Sequence, residues 1–405
     1  MTAPSPEEAP GADAAWCLNP RTPEGRSAAE RAEACLAEVA ADAERHDRDG
    51  SYVTEAHRAL AAAGLMGATV PAAHGGLGVR SLLDTAACLE RIAFADASAA
   101  LVLHMQLSRG LGLAAGPSDP GSEGLLRAMA DGSAYVAGAA TEAGAGYFTV
   151  RTTAEPKEDG PATVSGRKIM VSGAPAATHF AVRLRIRTPE GDRLGSAVVP
   201  RSAAVEVVDD WDGLGMRGSA STTVRFHDAE ALPWSLAVRG PWGVHDPRAL
   251  GGRMLSSGAM LGIYLGLATA AHHTLLTALR RAGADRPGAW LDAAAIRSEQ
   301  QLAGTRALVE LFLSRLDGHD PADGPGSLAL AREWQLCRLR SHDTALALSD
   351  LALSAAGAAA YRWGHPASRI LRDARAGQYM QPYGPAQAAE FVRAAGEGTD
   401  PGLLA

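Results

Sequence analysis

Chemistry in this chain has to come from a few short stretches. Thr141-Glu142-Ala143-Gly144-Ala145-Gly146 sets a hydroxyl and a carboxylate beside glycines, which permit positive φ and close backbone approach to a ligand. Taken alone, it is also an ordinary strand-to-loop turn. Gly166-Arg167-Lys168-Ile169-Met170-Val171-Ser172-Gly173 reads as a tight turn, a strand and a polar exit. Gly213-Leu214-Gly215-Met216-Arg217-Gly218 matches G-x-G-x-x-G. A dinucleotide fingerprint requires a strand before that motif and a helix after it. Here a strand pattern, Thr222 to Phe226, follows, which makes the stretch a turn inside a β-domain. Arg372-Asp373-Ala374-Arg375 has the charge pattern of a salt-bridged helix end. His104 lies on an Ala/Leu-rich helical stretch, where a satisfied core histidine is commoner than a catalyst. His272 and His273 are neighbours on a helix, do not share a face, and read as packing or surface residues.

Several chemistries are absent. The four cysteines, Cys17, Cys35, Cys88 and Cys337, form no C-x-x-C pair, and no HExxH occurs, which argues against zinc. Neither a P-loop nor a G-x-S-x-G elbow is present. The formal charge is −7, from 38 basic and 45 acidic residues. With no run of five like charges, neither a nucleic-acid surface nor a polybasic membrane anchor is expected. Met1 to Glu24 lacks the apolar core of a signal peptide, and no stretch of about 18 uncharged apolar residues suggests a membrane span. Sparse thiols suit a reducing cytoplasm, the expected location. Lysine occurs only at Lys157 and Lys168 while arginine abounds, a bias read as that of a GC-rich genome.

The elements that must position these residues fall into three textures. A flexible tail is expected over 1–26. Helices fill 27–134: Ser27 and Glu30 form an S-x-x-E capping box, Thr54 opens a second helix closed by Gly64, Ser81 with Asp84 starts a third, and a fourth runs from Ser98 to Leu113. From 135 to 235, short Val/Ile/Thr/Phe runs alternate with turns. Tyr135–Ala139, Ala162–Ser165, Ile169–Val171, Phe180–Ile186, Ala197–Val199, Val205–Val208 and Thr222–Phe226 read as strands of an antiparallel barrel or sandwich. Long Ala/Leu-rich helices over 236–396 imply a bundle, with a C-terminal tail at 397–405.

Order and spacing give the stretches meaning together. A helical domain, a T-E-x-G-A-G loop, a G-x-K-x-x-x-S/T strand, a G-L-G-M-R-G turn, a helical bundle and R-D-A-R resemble, over about 27–396, the acyl-CoA dehydrogenase family of flavoproteins. The resemblance implies an α+β chain: an N-terminal helical domain, a central antiparallel β-barrel domain and a C-terminal four-helix bundle. It also implies FAD held between β-domain and bundle, in a homodimer or homotetramer. Carried over, the flavin contacts are Thr141 and Ser172, with Met170 in place of the aromatic often found there. Tyr147-Phe148 replaces the family's usual Ser-Asp. Arg280, in Arg280-Arg281-Ala282-Gly283-Ala284, stands where family members carry Arg-x-x-Phe-Gly against the FAD pyrophosphate of a neighbouring subunit. The family's Gly-Gly is reduced to Gly357-Ala358. FAD is the expected cofactor, with FMN left open.

The catalytic position departs further. Acyl thioester dehydrogenation needs a carboxylate to take the α-proton. Counting from R-D-A-R reaches Gln381, an amide that cannot do so, and the alternative family position falls on Gly252. Three explanations remain open: another carboxylate, Glu142 among them; a substrate that needs no strong base; or reaction of reduced flavin with O2, as in the family's monooxygenase relatives. The resemblance implies an oxidoreductase acting on an acyl thioester of CoA or an acyl carrier protein, at a CH–CH or related carbon donor in a biosynthetic pathway. Electrons would leave to an acceptor or O2, and Gln381 would occupy the base site. The alternatives are a flavin monooxygenase performing N- or C-hydroxylation, and a flavin-free, non-catalytic binding protein.

Overall fold

Side-chain caps set where the first helices begin. The computed structural model describes residues 18–146, 148–244, 247–282, 290–320, 323–379 and 385–397. Helix α1 (Pro23–Ala34) starts at a proline, with Thr22 accepting from the Gly25 N–H, the arrangement that suits a fixed φ at the first helical position. The helix therefore begins four residues before Ser27, and residues 18–26 are not a tail. They are tied down by the central helix α5 (Leu82–Ala95). There Asp84 accepts from Arg21 N and Thr22 N, and Glu90 accepts from Leu18 N at 2.8 Å. Short helices α2 (Leu36–Ala41), α3 (Ala43–Asp49) and α4 (Thr54–Ala62) follow. Asp96 accepts from Ser98 N and Ala99 N to cap α6 (Ala97–Ala114), and Asp119 caps α7 (Pro120–Ala130).

Among the described residues the sheet has eight strands: β1 (Val136–Ala139), β2 (Thr153–Glu155), β3 (Thr163–Val171), β4 (His179–Ile186), β5 (Arg193–Pro200), β6 (Val205–Val208), β7 (Thr222–Glu230) and β8 (Ala237–Pro241). The order is β6-β7-β3-β2-β4-β5-β8, with β1 pairing β4. Most pairs are antiparallel, but β1 and β2 both run parallel to β4, which the expectation of an antiparallel barrel did not include. The two strand patterns around Gly166 and Lys168 are one strand, because backbone irregularities at Gly166 and Met170 absorb the breaks.

The C-terminal helices are α8 (Pro247–Ser257), α9 (Leu261–Ala282), α10 (Trp290–Asp317), α11 (Gly324–Ala356), α12 (Pro366–Ala376) and α13 (Pro385–Gly396). Leu250–Arg281 is long and apolar enough by composition to cross a bilayer, yet most of its apolar window is buried in the fold. Its contact with α5 depends on two glycines one turn apart. A Cβ at Gly262 would sit 2.1 Å from Ala86 O, and one at Gly266 2.4 Å from Glu90 O.

The R-D-A-R stretch joins three parts of the chain. Arg372 forms a two-bond buried pair with Asp47 of α3, at 2.7 and 2.6 Å, and its guanidinium lies 3.9 Å from the Trp363 ring centroid. Asp373 accepts from Met216 N at 2.6 Å, within the G-L-G-M-R-G stretch, which is a turn. Arg217 of that turn donates to Asp47 O at 2.6 Å.

Burial pushes the Asp373 carboxyl up to about 7, against the pull of Arg369 and the Met216 N–H. A raised carboxyl contributes stability that is complete below its ordinary range and is lost as pH climbs through about 7. Asp373→Asn keeps an acceptor for Met216 N and removes the titration. Thermal midpoints measured at pH values from about 4 to about 7 should fall more steeply for the wild type than for Asp373→Asn. Parallel curves would show that this group does not titrate there.

Candidate active site

One helix and one strand set the wall of a large cleft. Gln106 of α6 donates to Ala134 O at 2.9 Å and accepts from Val136 N at 2.8 Å, fixing the helix against β1. The Tyr135 hydroxyl donates to Val102 O at 3.1 Å and reaches Ser172 O at 3.4 Å. Between α6, the sheet and α8 lies a cleft of about 1740 Å³. Thr141, Met170 and Ser172 line it together, and so do His104, Gly252 and Tyr379.

The Thr141 loop is held by a buried ion pair. Glu142 accepts from Lys168 Nζ at 2.6 Å, from Arg151 N at 2.6 Å and from Thr152 N at 2.9 Å. Its side chain is 5% exposed and that of Lys168 0%. Burial pushes the Glu142 carboxyl up, but the Lys168 ammonium and the hydrogen bonds outweigh it and hold the group below its usual range. Ile169 N donates to Thr141 O at 2.9 Å, tying the loop to β3 a second time. A bulge between Lys168 and Val171 turns both of these residues inward, which leaves Met170 in a left-handed conformation, φ 55°, and 47% exposed in the cleft. Such a conformation is costly for a residue with a side chain and marks a constrained site.

Several expected residues lie elsewhere. Glu142 is not placed as a base: its carboxylate is engaged by Lys168 and two backbone N–H groups, and it does not line the cleft. Arg280 is exposed, donates to Thr277 Oγ1 at 3.0 Å, and does not line the cleft of its own chain. Gln381, Tyr147, Gly283 and Ala284 lie outside the described residues. His272 pairs with Ser298 at 2.8 Å, while His273 stacks edge-on against Phe94. No cluster of metal-ligating side chains occurs among the described residues. His104 is 2% exposed, with no partner for Nδ1 among the described residues. Burial, aided by Arg109, pushes this imidazole down to about 3, so it stands neutral.

The lining also carries Arg80, Arg109, Arg183, Arg239 and Arg253, against Glu24 and Asp119 as its acidic members. A chain of net charge −7 thus encloses a basic cleft. These arginines come from α6, α8, β4, β8 and the segment before α5, and no spacing in the sequence signals their convergence. Ser221, which also lines the cleft and hydrogen-bonds Ser172 at 2.8 Å, was equally unmarked.

Two family models match the chain: the acyl-CoA dehydrogenase N-terminal domain over residues 22–133 and the middle domain over 137–229. The chain belongs to the acyl-CoA dehydrogenase family and is a flavin-dependent oxidoreductase built on that fold. Within that family it is similar to L-evernosamine nitrososynthase of Micromonospora sp., 39% identical over 94% of this chain and 92% of the relative. Amino sugar nitrososynthase DnmZ of Streptomyces peucetius is 37% identical over 95% of this chain and 96% of the relative. A solved structure of KijD3, in complex with FMN and dTDP-3-amino-2,3,6-trideoxy-4-keto-3-methyl-D-glucose, superposes with a TM-score of 0.87 at 37% identity. It covers 95% of this chain and 96% of its own.

These relatives overturn the acyl-thioester expectation. The two curated relatives are named nitrososynthases, one of them of amino sugars, and the solved KijD3 holds a dTDP-linked amino sugar rather than CoA or a carrier-bound acyl group. The carbon-donor class falls with it, and so does the flavin-free binding protein. The shared fold explains the error, since the motifs that carried the resemblance position a flavin and say nothing of what is oxidised.

The ion pair yields a direct test. Lys168→Met leaves Glu142 buried without its counter-ion, which typically costs about 3–5 kcal/mol. Its urea midpoint should drop accordingly, and Lys168→Met with Glu142→Gln should recover most of the loss. A single variant as stable as the wild type would remove the pair from its anchoring role.

Proposed function

We propose that this chain is an FMN-dependent N-oxygenase acting on the amino group of a sugar linked to a nucleoside diphosphate, as its relatives' names suggest. The observation that carries this reading is the charge of the cleft: five lining arginines, and a Glu142 carboxylate withdrawn into a salt bridge. An acyl thioester dehydrogenase needs an available carboxylate beside the flavin, whereas oxygen transfer to nitrogen needs an uncharged amine. Cationic surroundings disfavour an ammonium and hold a bound amine in its neutral, nucleophilic form.

The residues present fit a flavin. Ligand pockets commonly run about 300–1,000 Å³, so a cleft of about 1740 Å³ has room for a flavin and a nucleotide sugar together. Thr141 and Ser172 would hold the ring edge through their hydroxyls. Arg80 and Arg239, exposed at the rim and without a carboxylate partner among the described residues, would meet the diphosphate. FMN is favoured over FAD because the Phe-Gly of the motif that meets the FAD pyrophosphate in the family is missing, the family's Gly-Gly is reduced to Gly357-Ala358, and Arg280 is turned to its own helix. When bound, reduced flavin would supply two electrons to O2 per round, one oxygen atom passing to nitrogen and the other leaving as water, so that a first round gives the hydroxylamine and a second gives an N,N-dihydroxy amine that loses water to become the nitroso group. Neutral His104 in the cleft wall adds no charge that would repel or trap the amine.

The enzyme supplied with FMN, a flavin reductase and a dTDP-linked amino sugar should convert the amine to products containing added oxygen, read by mass spectrometry. Arg239→Ala should weaken dTDP binding about tenfold or more, since a charge-assisted contact is lost, and should raise KM more than it lowers kcat. Anaerobic desaturation of an acyl-CoA, with no product from the amino sugar, would overturn the reading.

A further inference from the structure

Three serine hydroxyls run in a chain at the cleft wall. Ser172 Oγ lies 2.8 Å from Ser221 Oγ, which lies 2.7 Å from Ser219 Oγ. Their relative exposures are 6%, 5% and 0% in that order. Ser172 and Ser221 line the cleft, and Ser219 does not. The backbone holds them in place. Gly173 N donates to Ser219 O at 2.8 Å, and Val171 pairs with Thr222 across β3 and β7.

A proton inventory restricts how this chain is oriented. Each hydroxyl has one proton to donate and two lone pairs with which to accept. The Ser219 hydroxyl meets only that of Ser221 among the described residues. Aimed elsewhere, its proton would be a buried donor without an acceptor, which is strongly disfavoured. Ser219 therefore donates to Ser221. Ser221 accepts that bond and sends its own proton either to Ser172 or into the cleft. In the first arrangement Ser172 presents an O–H to the cleft. In the second Ser172 donates back to Ser221 and presents a lone pair, while Ser221 presents the O–H. The two differ only by hydroxyl rotations.

We propose that Ser172, Ser221 and Ser219 form a hydroxyl switch that lets one cradle hydrogen-bond a flavin ring nitrogen in both of its redox states. The proposal rests on the reading of Ser172 as a flavin contact. A flavin ring nitrogen that is an acceptor when oxidised carries N–H when reduced, and a fixed donor satisfies the first form only. The switch satisfies both without movement of a heavy atom. Ser221 is the positioning residue, because it alone takes the Ser172 proton when Ser172 must accept. Ser219 is the anchor that keeps the Ser221 proton pointing outward.

The test is the ratio of two dissociation constants, for oxidised FMN and for FMN reduced with dithionite, titrated anaerobically into the apoprotein. In Ser221→Ala the Ser172 proton loses its acceptor only when Ser172 accepts from the ring. The ratio should therefore shift about three- to tenfold against reduced FMN, and the reduction potential of bound FMN should fall. Ser219→Ala removes a buried hydroxyl of the same size but leaves both arrangements open, so its ratio should match the wild type. Ser221→Thr returns the hydroxyl and should restore the ratio. Should Ser221→Ala fail to fold, Ser221→Cys, whose sulfur is only a weak acceptor, should shift the ratio in the same direction by less. Equal shifts in Ser221→Ala and Ser219→Ala, or no shift in either, would overturn the switch. A wild type that binds neither form of FMN would overturn the flavin reading itself, a separate failure.

Discussion

The buried pair of Glu142 and Lys168 is the interaction on which the rest of the site depends. Two opposite charges removed from water are held together only where geometry and further hydrogen bonds compensate for lost solvation. Here the carboxylate also takes two backbone N–H groups of the segment leading into β2. One side chain thus ties the Thr141 loop to β2 and β3 at once. The bulge at Met170 belongs to the same construction, since it lets Lys168 turn inward while Ser172 reaches the cleft. A carboxylate used this way is unavailable for proton abstraction. The two usual positions of a dehydrogenase base hold Gln381 and Gly252, and the loop carboxylate, tied to Lys168, does not replace them.

The larger scaffold serves the same cleft from outside. Arg372 and Asp373 fasten α12 to α3 and to the turn before β7. That turn leads into Ser219 and Ser221, so the R-D-A-R stretch acts on the site through position and not through contact. Helix α5 plays the corresponding part in the core, with Asp84 and Glu90 gathering the chain ahead of α1 and two glycines of α9 closing against it. Cations gather in the cleft although the chain is acidic as a whole, which shows how little net charge says about one cavity.

Much of the architecture was legible in the sequence because its signals are local. Caps at Ser81, the 3.6-residue periodicity of the bundle and alternation along β4 are each readable within a dozen residues. The turn nature of Gly213–Gly218 followed from the strand behind it. Strands β2 and β8 were missed because one is three residues long and the other carries Arg239, Gly240 and Pro241. The start of α1 was misplaced although its signal is local, Thr22 ahead of Pro23, because the S-x-x-E pattern at Ser27 and Glu30 competes with it inside the same helix. Thr141, Met170 and Ser172 were legible as neighbours only through the family resemblance, and their meeting in one wall is a tertiary fact. One of the two lysines in this arginine-rich chain, Lys168, is fully buried, and the scarcity of lysine in the composition does not by itself reveal that role. The basic lining of the cleft was not legible, because its arginines come from five separate segments.

The central claim is that this cleft transfers an oxygen atom from O2 to an amine nitrogen without a carboxylate base. Turnover of a dTDP-linked amino sugar under heavy-isotope O2 in ordinary water tests it most directly. The account requires the heavy oxygen to appear on nitrogen in the hydroxylamine formed in the first round. A product that carries only oxygen from water, or one that loses two hydrogens from carbon while the heavy isotope is recovered as peroxide, would contradict it.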